Sequence, residues 1–120
     1  MKPAEVQIIK DTRGILGVLD PLPEWVKRVY WMSAPAGQTR GGHRHHITFQ
    51  QVFCISGSVD VIWQLPANRG RTRLDVENSS LNLPPELFHE IHFIQSSVLL
   101  VLASELYDKS DYILEKYGEA

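Results

Sequence analysis

Short segments rich in β-branched and aromatic residues alternate with turn sequences along most of the chain, and this alternation restricts the possible folds more than any other feature. Ser56-Gly57-Ser58, for example, separates two such segments with a tight turn that is typical of a β-hairpin. About nine short strands at roughly regular spacing predict an all-β fold, either a sandwich or a small barrel. The predicted strands are Val6–Lys10, Ile15–Leu19, Val26–Met32, Ile47–Ile55, Val59–Leu65, Thr72–Val76, Ser80–Leu83, Phe88–Phe93 and Val98–Ser104.

Helical periodicity is confined to the C-terminal end of the chain. Between Ser110 and Tyr117, the side chains of Tyr112, Ile113 and Tyr117 can share one face, so a short C-terminal helix is predicted. The 120 residues suit one hydrophobic core, and we expect a single domain over residues 1–120. A barrel of this size can hold one small ligand, so polar residues on its strands are the candidates for chemistry.

Charge, cysteine content and hydropathy argue against several classes of function. The net charge of −2 gives no argument for binding nucleic acid or an anionic membrane surface. The longest apolar run, residues 98–103, is too short to cross a bilayer, and the N-terminal residues lack the pattern of a signal peptide. A single cysteine, Cys54, excludes an intrachain disulfide. We therefore expect a cytoplasmic protein with no nucleic-acid or membrane partner.

Three of the five histidines fall within residues 43–46, in the sequence RGGHRHH. Side chains alternate between the two faces of a strand, so an extended chain over residues 43–53 places His43, His45 and Gln51 on one largely apolar, inward face. His46 points to the opposite face and is expected at the surface. His43 and His45 are then either catalytic or a structural, hydrogen-bonded pair at the mouth of a barrel.

The same histidines fit a metal site only in part. The His43-x-His45 pair, followed by Gln50, has the spacing of the first cupin motif, in which a glutamate usually occupies the position of Gln50. His89 is placed like the histidine of the second motif, with Glu86 where glycine is usual. A metal cupin typically uses three histidines and a carboxylate, and a neutral amide is a weaker donor. No metal or other cofactor is therefore expected, and a metal-dependent cupin enzyme is the alternative interpretation.

Arginine side chains accompany the histidine pair. Arg40 ends a glycine-containing loop directly before His43, and arginine binds phosphate groups in a bidentate manner. Arg28 and Tyr30 share one face of a predicted strand, and Arg13 lies in a turn, so all three are candidates for the rim of a pocket. The combination indicates an anionic substrate and a proton-transfer step, whereas solvated surface arginines are the simpler alternative.

The whole chain resembles the dTDP-sugar 3,4-ketoisomerases, small cupins that act on dTDP-4-keto-6-deoxyglucose (dTDP is also written TDP). Matching segments occur in the family's order along the chain. Asp11–Leu16 is similar to D-x-R-G-x-L, Val26–Trp31 to K-R-V-Y-aromatic, Arg40–His45 to R-G-x-H-A-H, Gln51 and Gly57-Ser58 to the next strand and turn, Pro85, His89 and Glu90 to P-x-x-W-H-E, Val101–Ser104 to V-L-A-S, and Tyr107–Ile113 to Y-D-E-S-D-Y-I.

The resemblance implies a cupin-type jelly-roll barrel, a homodimer that can exchange N-terminal strands, and a metal-free reaction in the biosynthesis of unusual deoxy and amino sugars. The ketone of the sugar moves from C4 to C3 through an enediolate, a task suited to histidine because its pKa lies near neutrality. The roles implied by motif position are His43 as the base at C3, His45 as a proton shuttle, Arg40 and Tyr30 as substrate ligands, Arg13 and Arg28 as diphosphate ligands, and Gln51 as a partner of the sugar or of a histidine.

Four residues depart from the family pattern. Gly42 replaces a usual aromatic residue, Arg44 a usual alanine and Phe88 a usual tryptophan, and Pro84 stands where the family often has glycine. The changes at Gly42 and Phe88 give a third interpretation, a cupin that binds a nucleotide sugar without turning it over.

Overall fold

The computed structural model describes residues 1–118, which form short β-strands and one 3-10 turn. The predicted all-β fold is confirmed, and none of the helices in this described part is long and apolar enough to cross a membrane. The strands are β1 (Gln7–Asp11), β2 (Gly14–Val18), β3 (Arg28–Ala34), β4 (Thr39–His45), β5 (Gln50–Ser56), β6 (Ser58–Leu65), β7 (Asn68–Asp75), β8 (Ser80–Leu83), β9 (Phe88–Phe93), β10 (Ser97–Ala103) and β11 (Tyr112–Ile113).

Two antiparallel sheets form the body of the molecule. One has the strand order β3-β10-β5-β8, and the other has the order β11-β4-β9-β6-β7. Val52 and Leu99 of the first sheet belong to the same buried cluster as Val61 and Ile91 of the second, so the two sheets pack face to face. The described strands are hydrogen-bonded as separate sheets rather than as one closed barrel, and β1 and β2 form a hairpin of their own.

The C-terminal segment is not a helix, so that prediction is wrong. A 3-10 turn covers only Lys109–Asp111, and the side chain of Asp108 caps it by accepting a hydrogen bond from the backbone N–H of Ser110. The chain then extends as β11, in which Tyr112 and Ile113 pair with His45 and Arg44 of β4. These residues pair with a distant strand instead of forming the helix that their periodicity predicts, because the sheet provides hydrogen-bond partners for their backbone groups.

The connection between β4 and β5 is held by a buried carboxylate from the 3-10 turn. Oδ1 of Asp111 accepts a hydrogen bond from the backbone N–H of Ile47 at 2.9 Å, and its Oδ2 accepts one from the hydroxyl of Thr48. The backbone carbonyl of Asp111 accepts a third bond, from the N–H of His46 at 3.0 Å. Residues 46–49 therefore lie outside the strands, with a bend at 46 and 47, and β5 does not continue the side-chain alternation of β4.

Candidate active site

A pocket of about 240 Å³ opens between the two sheets and collects most of the polar residues singled out in the sequence. Strands β3 and β4 contribute three residues each, and β5, β8, β9, β10, β11 and the segment before the 3-10 turn contribute the others. Its lining comprises Arg28, Tyr30, Met32, Arg40, Gly41, His43, Gln50, Val52, Leu83, His89, Ile91, Val101, Tyr107 and Tyr112.

Three histidines meet at this pocket. The ring centroid of His43 lies 5.0 Å from that of His45 and 5.0 Å from that of His89, which pairs with His43 across β4 and β9. The predicted neighbourhood of His43 and His45 is confirmed, and His46 is at the surface with 58% of its side chain exposed. His43 and His89 line the cavity, whereas His45 is almost fully buried beside them.

A β-bulge in β4 sets the direction of His43. The register between β4 and β9 shifts between Gly41 and His43, where Gly41 and Gly42 have φ values of 87° and 83°. Glycine adopts such angles without steric cost, whereas a residue with a Cβ is strained there. Gly42 therefore fits the backbone conformation that this bulge requires.

Burial keeps the three imidazoles neutral near pH 7. Burial lowers the pKa of His43, and burial together with the nearby His43 lowers the pKa of His45 to about 4. The pKa of His89 also falls to about 4, mainly through burial. Nδ1 of His89 lies 3.2 Å from the carbonyl oxygen of Leu87, to which it can donate only as the Nδ1–H tautomer, leaving Nε2 as an acceptor. Neutral imidazoles of this kind can accept protons.

Tyr30 supplies a hydroxyl that stays protonated. Nε2 of Gln50 donates a hydrogen bond to the Tyr30 oxygen at 2.9 Å, so the hydroxyl hydrogen is free to point into the pocket. Burial, followed by the nearby Tyr112, raises the pKa of Tyr30. The predicted position of Tyr30 at the pocket is confirmed. The sequence marks Gln50 only as a weak metal donor, and nothing local in it signals the contact with Tyr30.

Two arginines give the pocket positive charge. The guanidinium carbon of Arg28 lies 4.5 Å from the ring centroid of Tyr30 and 5.6 Å from that of Tyr107, a geometry that fixes it by cation–π contact. Arg40 lines the same pocket from β4 and is exposed. Both arginines lie where their sequence positions suggested, and together they suit an anionic ligand.

Tyr112 is a pocket residue that sequence reasoning assigned to a helix. Its ring centroid lies 4.7 Å from that of His43 and 4.5 Å from that of His45, so it packs against both imidazoles edge to face. Only the pairing of β11 with β4 brings it there, and no local pattern in the sequence signals that pairing.

Two predicted site residues lie away from the pocket. Gln51 is fully buried on the opposite face of β5, where its amide exchanges two hydrogen bonds of 2.8 Å with the backbone of Ala4. The prediction placed it beside the histidines because it assumed unbroken alternation from residue 43 to 53. Arg13 is on the β1–β2 hairpin with 88% of its side chain exposed, and it pairs with Asp11 rather than lining this pocket.

The described residues provide few suitably arranged ligands for a metal ion. Residues 1–118 contain no group of three or more His, Cys, Asp or Glu side chains arranged to hold one. The position that is usually glutamate in metal cupins is Gln50, whose amide is turned to Tyr30. The pocket thus combines proton acceptors, a hydroxyl donor and positive charge, which suits proton transfer on an anionic molecule.

Comparison with known proteins gives consistent matches over nearly the whole chain. The family model described as "FdtA: WxcM-like, C-terminal" matches residues 1–119. The TDP-4-oxo-6-deoxy-alpha-D-glucose-3,4-oxoisomerase of Aneurinibacillus thermoaerophilus is 36% identical over 110 residues, which cover 88% of this chain and 79% of that protein.

Solved structures of similar proteins share the fold. QdtA, a sugar 3,4-ketoisomerase from Thermoanaerobacterium thermosaccharolyticum in complex with TDP, has a TM-score of 0.81 and 32% identity, covering 93% of this chain and 85% of QdtA. The WlaRB TDP-quinovose 3,4-ketoisomerase from Campylobacter jejuni has a TM-score of 0.78 and 30% identity, covering 96% of this chain and 95% of WlaRB. With a family model that spans almost every residue and relatives of this similarity, the chain belongs to the FdtA family of WxcM-like proteins.

Proposed function

We propose that this protein is a sugar-nucleotide 3,4-ketoisomerase that converts TDP-4-keto-6-deoxyglucose into a TDP-3-keto-6-deoxyhexose without a metal. The observation that carries the proposal is the neutral His43 imidazole, with His45 and His89 beside it, in the pocket that also holds Arg28 and Arg40. A relative with 36% identity is a TDP-4-oxo-6-deoxyglucose 3,4-oxoisomerase, and a His-to-Asn mutant of QdtA has been solved with TDP-4-keto-6-deoxyglucose.

The first step is removal of the proton on C3, which the neighbouring C4 ketone acidifies. His43 lines the pocket and is neutral near pH 7, so it is suited to accept this proton. The electron pair of the C3–H bond forms a C3–C4 double bond, and the C4 oxygen becomes negative. Tyr30 and Arg40 stabilise the resulting enediolate by a hydrogen bond and by positive charge.

The second step returns a proton to C4 and leaves the ketone at C3. The hydroxyl proton on the C3 oxygen moves to the C4 oxygen, and C4 takes up the proton removed earlier, so the reaction is balanced without a redox partner. His45 relays protons through its contact with His43, and His89, which lines the cavity directly, is an additional acceptor. Arg28 binds the diphosphate, because its cation–π contacts hold the guanidinium at the pocket.

The test is incubation of the purified protein with TDP-4-keto-6-deoxyglucose while the sugar is followed by NMR. We expect a new keto isomer, complete loss of turnover in His43→Asn with the fold intact by circular dichroism, and no effect of a chelator. A folded protein that produces no isomer would refute the ketoisomerase, and tight TDP binding in that case would favour a non-catalytic binding protein. Activity that chelation removes and metal restores would instead favour a metal-dependent cupin.

We also propose that residues 1–120 form a single cupin-type jelly-roll domain that acts as a cytoplasmic homodimer. Support for the dimer comes from exposed apolar side chains on the β1–β2 hairpin and on the free edge strand β3, where Trp31 is 74% exposed. Arg13 is on the same hairpin, so it can contact a substrate only if the hairpin reaches the pocket of a second copy. Sedimentation equilibrium should give twice the chain mass, and a monomer at micromolar concentration would refute this assembly.

A further inference from the structure

A cluster of side chains outside the pocket lies directly behind its histidines. Arg44 is on β4 between His43 and His45, with only 17% of its side chain exposed. Its NH1 donates to Oε2 of Glu86 at 3.0 Å, and its Nε donates to the backbone carbonyl of Glu115 at 3.1 Å. Its guanidinium carbon lies 4.1 Å from the ring centroid of Tyr117. Arg44 thus joins the turn before β9 to the C-terminal segment.

Tyr117 closes the cluster on the side of the C-terminal segment. Its hydroxyl donates to the backbone carbonyl of Glu86 at 2.7 Å, and its backbone N–H donates to Oε1 of Gln64 at 3.1 Å. Residues Arg44, Glu86 and Tyr117, called the clasp from here on, therefore hold the C-terminal segment against β4. That segment begins with β11, whose Tyr112 packs against the rings of His43 and His45.

The backbone of Glu86 makes the cluster unusual. Glu86 has φ = 72°, a left-handed conformation that glycine adopts freely and other residues adopt only at a cost in free energy. Glycine would fit this turn with less strain. A strained residue that is held by its surroundings is a reason to look for a role of its side chain, and the carboxylate of Glu86 is the partner of Arg44.

The turn around Glu86 also contacts the site histidines. The backbone N–H of Glu86 donates to the carbonyl of His45 at 2.8 Å. The next residue, Leu87, offers the carbonyl oxygen that lies 3.2 Å from Nδ1 of His89 and sets its tautomer. A shift of this turn would therefore weaken the contact that holds the proton on Nδ1 of His89.

We propose that the clasp is a positioning device, in which Arg44 and Glu86 fix the tautomer of His89 and the packing of Tyr112 on His43 and His45. The inference rests on the proposed function for its effect on turnover, but its effect on the histidines can be measured without any substrate. Arg44, Glu86 and Tyr117 are not catalytic residues, because they act only through the turn and the C-terminal segment.

Two variants of Glu86 separate its side chain from its backbone. Glu86→Ala removes the carboxylate and keeps the strained φ, whereas Glu86→Gly removes both. We expect both variants to lower kcat at least fivefold with KM within twofold of the wild type, and Glu86→Gly to melt at a higher temperature than Glu86→Ala. Arg44→Met should lower kcat to the same extent, and Arg44→Lys should recover only part of the loss, because lysine lacks the planar guanidinium. The matched control is Arg71→Met, an exposed arginine on β7 that should keep wild-type kinetics.

The tautomer of His89, measured by 15N NMR of 15N-labelled histidines, is the second readout. We expect His89 to be the Nδ1–H tautomer in the wild type and in Arg71→Met, and to become a mixture of tautomers in both Glu86 variants. Wild-type kcat together with an unchanged tautomer in Glu86→Gly would overturn the proposal, even if Arg44→Met failed to fold. If the wild type itself shows no turnover, the proposed function fails. The clasp is then judged by the tautomer of His89 alone, which supports it if altered and overturns it if unchanged.

Discussion

At the scale of single residues, the amide of Gln50 decides which role the Tyr30 hydroxyl has in the pocket. An amide N–H donates to the phenol oxygen, as observed at 2.9 Å, and leaves the phenol hydrogen for a substrate oxygen. A carboxylate at this position would accept that hydrogen and turn it away from the pocket. It would also add negative charge next to an anionic sugar nucleotide. The neutral side chain is therefore consistent with an electrophilic role for Tyr30.

This contrast predicts the effect of one substitution. Gln50→Glu should lower kcat by roughly 100- to 1,000-fold, the range found when one donor to a developing oxyanion is lost. The loss should be much smaller in a Tyr30→Phe background, because the phenol whose hydrogen is redirected is already absent. Steady-state kinetics of the two single variants and the double variant measure this coupling. The exposed Gln38→Glu is the matched control, and equal losses in both backgrounds would contradict the argument.

At the scale of elements, side-chain alternation predicted the site only within one strand. His43 and His45 lie two residues apart in β4, and their proximity followed from the sequence. The same rule failed for Gln51, because residues 46–49 are bonded to Asp111 and reset the alternation before β5. The hydrogen bond from Ile47 to Asp111 joins residues that are 64 positions apart in the sequence, so no local pattern could reveal it. The pairing of Tyr112 with His45 was hidden for the same reason.

The role of Asp111 in this connection can be tested directly. Asp111→Ala removes the acceptor of the Ile47 N–H, which is partly buried, and of the Thr48 hydroxyl, which is buried. Leaving such groups unpaired should lower the free energy of unfolding by roughly 1–3 kcal/mol. It should also lower kcat, because β5 is then free to change the direction of Gln50. Urea unfolding and kinetics measure the two effects, with the exposed Glu24→Ala as control. Wild-type stability in Asp111→Ala would show that the connector is held by other contacts.

At the scale of the whole molecule, the charged residues that line the pocket determine its electrostatic potential more than the net charge of the chain does. The chain carries a net charge of −2, yet Arg28 and Arg40 both line the cavity between the sheets. Field lines in a cleft are set by the charges nearest to it, so an acidic chain can still bind a nucleoside diphosphate. The uncharged imidazoles have a different effect, because they make the stability of the fold depend on pH.

Buried neutral histidines predict that the fold weakens in mild acid. His45 and His89 have their pKa lowered from 6.5 to about 4, so below pH 6.5 the unfolded chain binds protons that the folded chain does not. The contribution of these groups to the free energy of unfolding is therefore fully present above pH 6.5 and is lost as the pH falls toward 4, by about 2 kcal/mol for the two groups between pH 6 and pH 5.

Urea unfolding at pH 7, 6 and 5 and at fixed protein concentration measures this loss. His89→Gln should remove about half of the loss that comes from these two groups, since His45 and His89 contribute similarly, while the lowered pKa of His43 adds a smaller part that remains. His46→Gln, at an exposed position, should leave it unchanged. An equally steep pH dependence in His89→Gln would mean that other groups take up the protons.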